Sequence, residues 1–299
     1  MKEQDFLTAL RALPLHPGAA DLRDDTATLA GLTVTTDTIV EGIHFLPGDP
    51  PEDVAWKLLA VNLSDLAAKG ATPEGVLLNY PLSDTKWDSA FLAGLDAALR
   101  HFGCALLGGD TVTLPAGAPR VLTLTAIGRD AAAPPRSGAR AGDMLWVTGT
   151  VGEAGAGLAI ARGEDGPAEL LAAYRRPQPR LAEGRALAPH VHAMMDVSDG
   201  LLIDAARMAA ASGIAVAIDL AAVPLSTAWR GFRGDDRAAR LAAATAGDDY
   251  QLLFAANPAF APPVPATRVG AFAAGTGLTL HDAGGAVPLP TRLGFEHAR

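Results

Sequence analysis

The chain has 299 residues, 49% of them hydrophobic and 19% charged, with a formal net charge of −9. That length and balance suit a soluble globular protein of one large or two ordinary domains, and the acidity excludes a general affinity for nucleic acid or anionic membrane. Cys104 is the single cysteine, which excludes an internal disulfide and agrees with a reducing cytoplasm, and no run approaches the roughly 18 apolar residues of a membrane span.

The opening MKEQDFLTALRALPL has the pattern of a short amphipathic helix, not of a signal segment. LTVTTDTIV, residues 32–40, alternates apolar and β-branched residues and predicts a strand. Pro51 then opens a helix, with Glu52 and Asp53 in its first turn and Val54, Leu58 and Val61 on its apolar face, stopping at Gly70. GVLLNYPL from Gly75 reads as a strand, residues 86–102 as a helix closed by Gly103, and CALLGGD and RVLTLTAIG as two more strands. The Pro-, Gly- and Ala-rich stretch at 129–143 marks a boundary, so the expected units are 1–132 and 133–299. Beyond it MLWVTGT predicts a strand, GEAGAGLAIARG a glycine-led helix, and RRPQPRLAEGRAL a turn into a helix. GLLIDAARMAAASG predicts a further helix, then IAVAIDL, DYQLLFAA and TRVGAF predict strands. Because some strands follow one another directly, the pattern favours α+β over a purely parallel sheet.

Carboxylates stand at the ends of these apolar segments: Asp24 and Asp25, Asp37, Asp65, Asp110, Asp196 and Asp199, Asp248 and Asp249. Hard oxygen donors of this kind suit Mg2+, which shares a few carboxylates with substrate phosphates. Each also has a plainer reading. Asp24 and Asp25 fit a solvated turn, and Asp199, ahead of Gly200, fits a turn or a helix N-cap. Asp37 is harder to dismiss in a threonine-rich strand, and Asp65 harder still inside the apolar VNLSDLAAKG. Asn62 and Asp65, three apart, share one helix face and are expected to point at one cation, with Ser64 and Asn62 otherwise orienting the carboxylate.

LLGGDT places two glycines where backbone can approach a ligand, while VTGTVGEAGAGLAI fits either an anion-receiving helix start or tight packing. No G-x-x-x-x-G-K-[ST] occurs, so any ATP chemistry here proceeds without a P-loop. Cys104, in an apolar strand, reads as inert core, and Ser198 has no neighbouring histidine for a triad. His44 fits a site residue or a structural histidine.

VTTDTIVEGIHF, KLLAVNLSDLAAKGATP, LLGGDT, RSGARAGDMLWVTGTVGEAGAGLAI and DVSDGLLID occur in that order. Together they resemble the thiamine-monophosphate kinase family of the aminoimidazole-ribonucleotide-synthetase-like superfamily, from about Asp24 to Phe295. The resemblance implies a two-domain α+β fold with mixed sheets flanked by helices, N-terminal sheets pairing across a homodimer, and a cytoplasmic enzyme. The implied reaction is ATP-dependent phosphorylation of thiamine monophosphate to thiamine diphosphate by direct in-line transfer, with several Mg2+ ions. Carried over by position, Asp25, Thr35, Thr36, Asp37, Asp65, Asp110, Asp196 and Asp199 are implied metal ligands. Asp65, Asp110 and Asp196 are the implied catalytic acids, while Gly109, Asp110, Arg136 and Ser198 are implied ATP contacts. His44, Asp248 and Phe295 are implied contacts to thiamine monophosphate. Two departures stand out. DLRDD replaces the family's GIGDD, so that Arg23 bears on nucleotide or metal approach, and Asp248 replaces a glutamate. The alternatives are another ATP-using synthetase of the superfamily, a non-catalytic thiamine-phosphate or nucleotide binder, and a metal-dependent phosphatase.

Overall fold

The structure, a computed structural model, describes residues 3–296. Its elements run α1 (Glu3–Leu10), β1 (Ala27–Leu29), β2 (Leu32–Val40), α2 (Pro51–Ala68), β3 (Thr72–Leu82), α3 (Thr85–Phe102), β4 (Leu106–Thr113) and β5 (Val121–Arg129). After the 130–143 connection come β6 (Met144–Thr148), α4 (Glu153–Ala161), α5 (Ala168–Arg175), α6 (Leu181–Leu187), β7 (Ala193–Asp196), α7 (Leu201–Ser212) and β8 (Ala215–Asp219). The chain continues through α8 (Thr227–Arg233), α9 (Arg237–Thr245), β9 (Leu252–Ala256), β10 (Ala266–Ala273), β11 (Gly277–Asp282) and β12 (Gly285–Val287).

Two sheets result, in the orders β1-β2-β5-β3-β4 and β12-β11-β8-β10-β6-β9-β7. Each is antiparallel except at one pair, β3 with β4 and β8 with β11, so both sheets are mixed. Among the described residues no helix is long and apolar enough to cross a membrane.

The element that positions everything else is α2. Pro51 starts it where a missing N–H costs nothing, Lys69 follows its last residue, and Gly70 leaves it with φ 67°. Fourteen of its eighteen residues are buried, so it lies between layers and not on a surface. Leu58, Leu59, Leu63 and Leu66 pack with Leu122, Leu124, Phe91 and Leu95 over the first sheet, while Ala67 and Ala68 meet Leu187, Met194 and Phe254 of the second half. Burying each such leucine contributes roughly 1.5–3 kcal/mol, which is what holds the polar residues of the same helix in place. Contact with the second half is close: a Cβ on Gly184 would lie 2.0 Å from the Ala67 carbonyl oxygen. A separate core behind the second sheet joins Leu145, Val147 and Leu253 to Leu201, Leu202 and Met208 of α7.

Two strand expectations change. β4 starts at Leu106, and all eight of its residues are exposed on this edge of the sheet, which no other described strand pairs. Cys104 therefore precedes the strand; it is buried at the end of α3, where its N–H donates to the Leu99 carbonyl at 3.0 Å. β9 begins only at Leu252, leaving Asp248–Tyr250 as a turn in which Asp248 and Tyr250 have φ of 65° and 50°.

Candidate active site

Alternation along β2 turns Thr35 and Asp37 towards α2 and Thr36 away. The Thr35 hydroxyl donates to Asp65, while that of Thr36 donates to the Leu124 carbonyl at 3.2 Å on the outward side. Any part Thr36 takes at the inward site therefore falls to its backbone. Asn62 and Asp65 do share a face of α2, but their jobs differ. Asn62 accepts from the Asp37 N–H at 3.0 Å and donates to the Leu58 carbonyl at 2.9 Å, so it pins strand to helix and does not join Asp65 around a cation. Nor does Ser64 orient Asp65, since its hydroxyl donates across to Asp196 at 2.5 Å. Asp196 ends β7, so the two halves meet at this bond.

Asp25, Asp65 and Asp196 each bring a carboxylate oxygen within 4.8 Å of the others. Asp65 is recessed with part of its surface open, and Asp196 is buried. Burial, with Asp37 and Asp196 beside it, pushes the Asp65 carboxyl well above the usual range, against the opposing pull of Thr35 and Lys69. Asp196 rises to about 7, mainly by burial and despite the Ser64 hydrogen bond; Asp37 rises to about 6 through burial and the nearby Asp199. Carboxylates crowded so closely favour either protons or a cation.

Asp24 and Asp25 do not form a solvated turn. Lys69 reaches both, at 2.5 and 3.4 Å, and Arg136 pairs with Asp25. Burial lowers the Arg136 pKa, and its Nε is buried without a hydrogen-bond partner among the described residues, an unusual state for a guanidinium. In the preceding segment Ala20, Asp21 and Leu22 all have positive φ while Arg23 has φ −117°, so of the two glycines in GIGDD only the one that Asp21 replaces falls in the left-handed region; Arg11 holds the segment by donating to the Asp21 and Leu22 carbonyls. Arg23 itself is exposed.

Around Ser198 and Asp199 the loop is built by a residue the sequence reading passed over. Asp204 accepts the N–H groups of Ser198, Asp199 and Gly200 at 3.1, 3.1 and 3.2 Å, and Arg207 holds its other oxygen at 2.9 Å. Burial still raises Asp204 to about 6. Asp199 is thus not the N-cap of α7, a place taken by Gly200; its carboxylate pairs with Arg207 instead.

The implied substrate contacts gather around Lys57, also unforeseen. Its ammonium donates to Asp248 at 2.6 Å and to the His44 carbonyl at 2.9 Å, and lies 4.3 Å over the Tyr174 ring. His44 Nδ1 accepts from the Val40 N–H at 3.0 Å, and the Tyr250 hydroxyl donates to Asp248 at 3.1 Å. Phe295 is tied to the same region by its N–H, which donates to the Asp199 carbonyl at 2.9 Å, and its side chain is 43% exposed. The Asp248 N–H donates to the Ser198 carbonyl at 2.7 Å, so the substrate and nucleotide candidates share one framework.

Gly109 and Asp110 stand apart. Asp37 pairs with Leu124, Leu124 with Leu78, and Leu78 with Gly109. Three strand spacings separate the ends of that row, about 14 Å. Asp110, next along β4, lies on the outward face with Thr36, Thr38 and Thr123, is exposed, and accepts from the Thr111 N–H at 2.9 Å. Strand order therefore keeps it out of the inward cluster within one chain. Gly109 has φ 148°, and a Cβ there would lie 1.8 Å from the Leu78 carbonyl oxygen, so strand packing alone demands glycine.

Two family models match: AIR synthase related protein, N-terminal domain, over residues 23–129, and AIR synthase related protein, C-terminal domain, over residues 140–263. The thiamine-monophosphate kinase of Caulobacter vibrioides is 40% identical over 94% of this chain and 86% of its own length. Among solved structures, AaThiL complexed with AMPPCP and TMP has a TM-score of 0.88 at 28% identity, covering 99% of this chain and 97% of that one. Thiamine-monophosphate kinase from Stenotrophomonas maltophilia is 36% identical with a TM-score of 0.76, covering 95% and 96%.

Proposed function

The chain belongs to the thiamine-monophosphate kinase family, and from that premise we propose how its residues carry out the ATP-dependent phosphorylation of thiamine monophosphate to thiamine diphosphate. The observation that carries the reading is the meeting of Asp25, Asp65 and Asp196 within 4.8 Å, with Asp37 alongside, at the joint between the halves. An all-carboxylate donor set fits a hard divalent cation, and Mg2+ is the choice consistent with phosphate substrates. Asp25, Asp37, Asp65, Asp196 and Asp199 would hold it, and bound there it supplies positive charge to phosphate oxygens.

The rest is the work of the chain. Arg136, part-exposed beside Asp25, supplies a guanidinium for a nucleotide phosphate, and Ser198, in the loop fixed by Asp204, supplies a further contact. Asp248 and His44, held by Lys57, and the exposed ring of Phe295 form the face for the thiamine moiety. The terminal phosphate oxygen of thiamine monophosphate attacks the γ-phosphorus of ATP as the bond to the β–γ bridging oxygen breaks, and ADP leaves. That acceptor oxygen is already ionised near neutral pH, so no general base is required, and positioning with charge stabilisation does the catalysis.

Gly109 and Asp110 would enter a site only from a second copy of the chain. β4 supports that arrangement: it is a fully exposed edge carrying Leu106, Leu107 and Val112, each about half exposed, a surface that favours pairing. The units 1–132 and 133–299 are supported by the sheets on either side of that division, and a cytoplasmic location by a lone, buried thiol.

Initial-rate kinetics with ATP and thiamine monophosphate test the reading. Intersecting double-reciprocal lines, no product from thiamine, and no product after chelation of divalent ions are expected. Parallel lines or an isolable phosphoenzyme overturn direct transfer, while nucleotide binding without thiamine diphosphate favours a non-catalytic binder.

A further inference from the structure

The chain has four lysines against twenty arginines, and two of the four, Lys57 and Lys69, are buried on or just after α2. Where arginine is the ordinary surface cation, a lysine kept at a buried position marks a need for a compact point charge. Lys57 serves the substrate side. Lys69 has a different setting. Its side chain is 1% exposed, and four oxygens surround its ammonium: Asp24 Oδ1 at 2.5 Å, the Pro134 carbonyl at 3.2 Å, the Met194 carbonyl at 3.3 Å and Asp25 Oδ2 at 3.4 Å. An ammonium has three N–H donors, so four oxygens within hydrogen-bond distance share them, as in the solvation of a charge. Carboxylates with main-chain carbonyls are also the donors that bind simple cations. They come from three segments: the lead into β1, the connection between the sheets, and β7. The C-terminal end of α2, where Lys69 sits, adds its own negative partial charge.

We propose that Lys69 is a tethered monovalent cation: its ammonium fills an all-oxygen cage that would otherwise take an ion from solution, and it thereby fixes Asp25 at the edge of the acid cluster. The cage needs no kinase assignment, and its test reads stability, so failure here leaves the functional reading untouched. Lys69→Met removes the ammonium and ends the unbranched, flexible side chain one atom short of the cage, leaving the four oxygens to a free ion of similar size.

The experiment uses the full-length chain, stripped of divalent ions, in tetramethylammonium chloride at constant ionic strength, with ammonium or potassium chloride titrated in its place. Melting of Lys69→Met should rise saturably by roughly 3 °C or more with ammonium or potassium, as mass action on a native-state site requires, while wild type stays flat. Lys69→Arg, which keeps the charge but not the compact shape, should be less stable than wild type and unresponsive to either ion. Identical ion responses for wild type and Lys69→Met overturn the proposal. If Lys69→Met does not fold, 15N-lysine NMR of wild type decides. A slowly exchanging ammonium signal that Asp24→Asn shifts and Asp248→Asn does not supports the cage, and absence of such a signal overturns it.

Discussion

Two pairs of deep carboxylates are treated differently by the fold: Asp65 and Asp196 face each other across the joint between the halves, while Asp204 and Asp249 both belong to the second half. Asp204 and Asp249 are lined by amides: three consecutive N–H groups for Asp204, and for Asp249 the Gly152 N–H, at 2.8–2.9 Å to its two oxygens. Asp65 and Asp196 are met by hydroxyls, from Thr35 and Ser64. Burial raises the pKa of all four, so burial alone does not separate them. The partner does. A backbone N–H aimed at a carboxylate cannot turn away, and such an acid is part of the architecture. A hydroxyl rotates, and can accept as readily as donate, so the acid it touches can take a new partner without breaking the fold. Asp65 and Asp196 also stand against each other and Asp25, and the Lys69 and Arg136 charges reach the cluster only at its Asp25 side, so the repulsion between Asp65 and Asp196 favours a proton or a further cation.

The sharpest way to break this contrast is to neutralise one acid from each pair. Asp65→Asn should lower turnover on the order of 10²–10³-fold, while melting of the metal-free protein stays level or rises, because a repelling charge is gone. Asp204→Ala should do the reverse in emphasis: it strands three N–H groups and Arg207, costing about 3 kcal/mol of stability, and its residual activity should track the folded fraction. Turnover at saturating Mg2+ and denaturant melts on both variants decide. If both lose stability equally, the distinction by partner collapses.

A pH titration sharpens the same contrast at a smaller scale. Asp37 and Asp196 have folded-state values of about 6 and about 7, above the ordinary 3.8. Their protonated forms are favoured in the native state, so their contribution is fully present below about pH 3.8 and is lost as pH rises through 6 to 7. Metal-free protein should therefore melt higher at pH 6 than at pH 8, by on the order of 2 kcal/mol. Mg2+ should flatten that slope and release protons on binding near pH 6.5. A metal-free melting curve that rises from pH 6 to pH 8 would contradict the raised values of Asp37 and Asp196.

Much of this was legible in the residues. β2 spans 32–40 as its alternation predicts, and the long apolar run in α2 made Asp65 conspicuous because a carboxylate there has no packing rationale. Asp204 carries the same signal within GLLIDAAR and went unread, since an acid in the first turn of a helix has an ordinary explanation in the helix dipole. Lys57 and Lys69, cations on and just after an apolar helix, carry the same signal and also went unread. α5, α8, α9, β1, β11 and β12 are short, and their periodicity is too brief to stand out from the flanking loops. The partners of Asn62 and Ser64 were not legible at all: spacing puts Asn62 beside Asp65, but which residue each meets depends on strands brought in from 25 and 132 positions away. The separation of Asp110 from the cluster likewise depends on strand order, which no local pattern encodes.

The smallest effect tests the hydroxyls themselves. Thr35→Val keeps the shape of the side chain, and its β-branch suits the strand, but it removes the donor that favours the ionised form of Asp65. The Asp65 carboxylate is then harder to ionise, so a cation must work against a tighter proton. The Mg2+ concentration giving half-maximal rate should rise roughly 3- to 10-fold at pH 7, within the range for an outer partner of a metal ligand, and the penalty should shrink at pH 8, where the proton is less available. Maximal rate at saturating Mg2+ should stay near that of wild type, since the valine touches neither substrate. If the hydroxyl is itself an obligatory ligand, the maximal rate falls and raising the pH does not restore it. That split between Mg2+ requirement and maximal rate separates a residue that prepares a carboxylate for its ion from one that binds the ion directly.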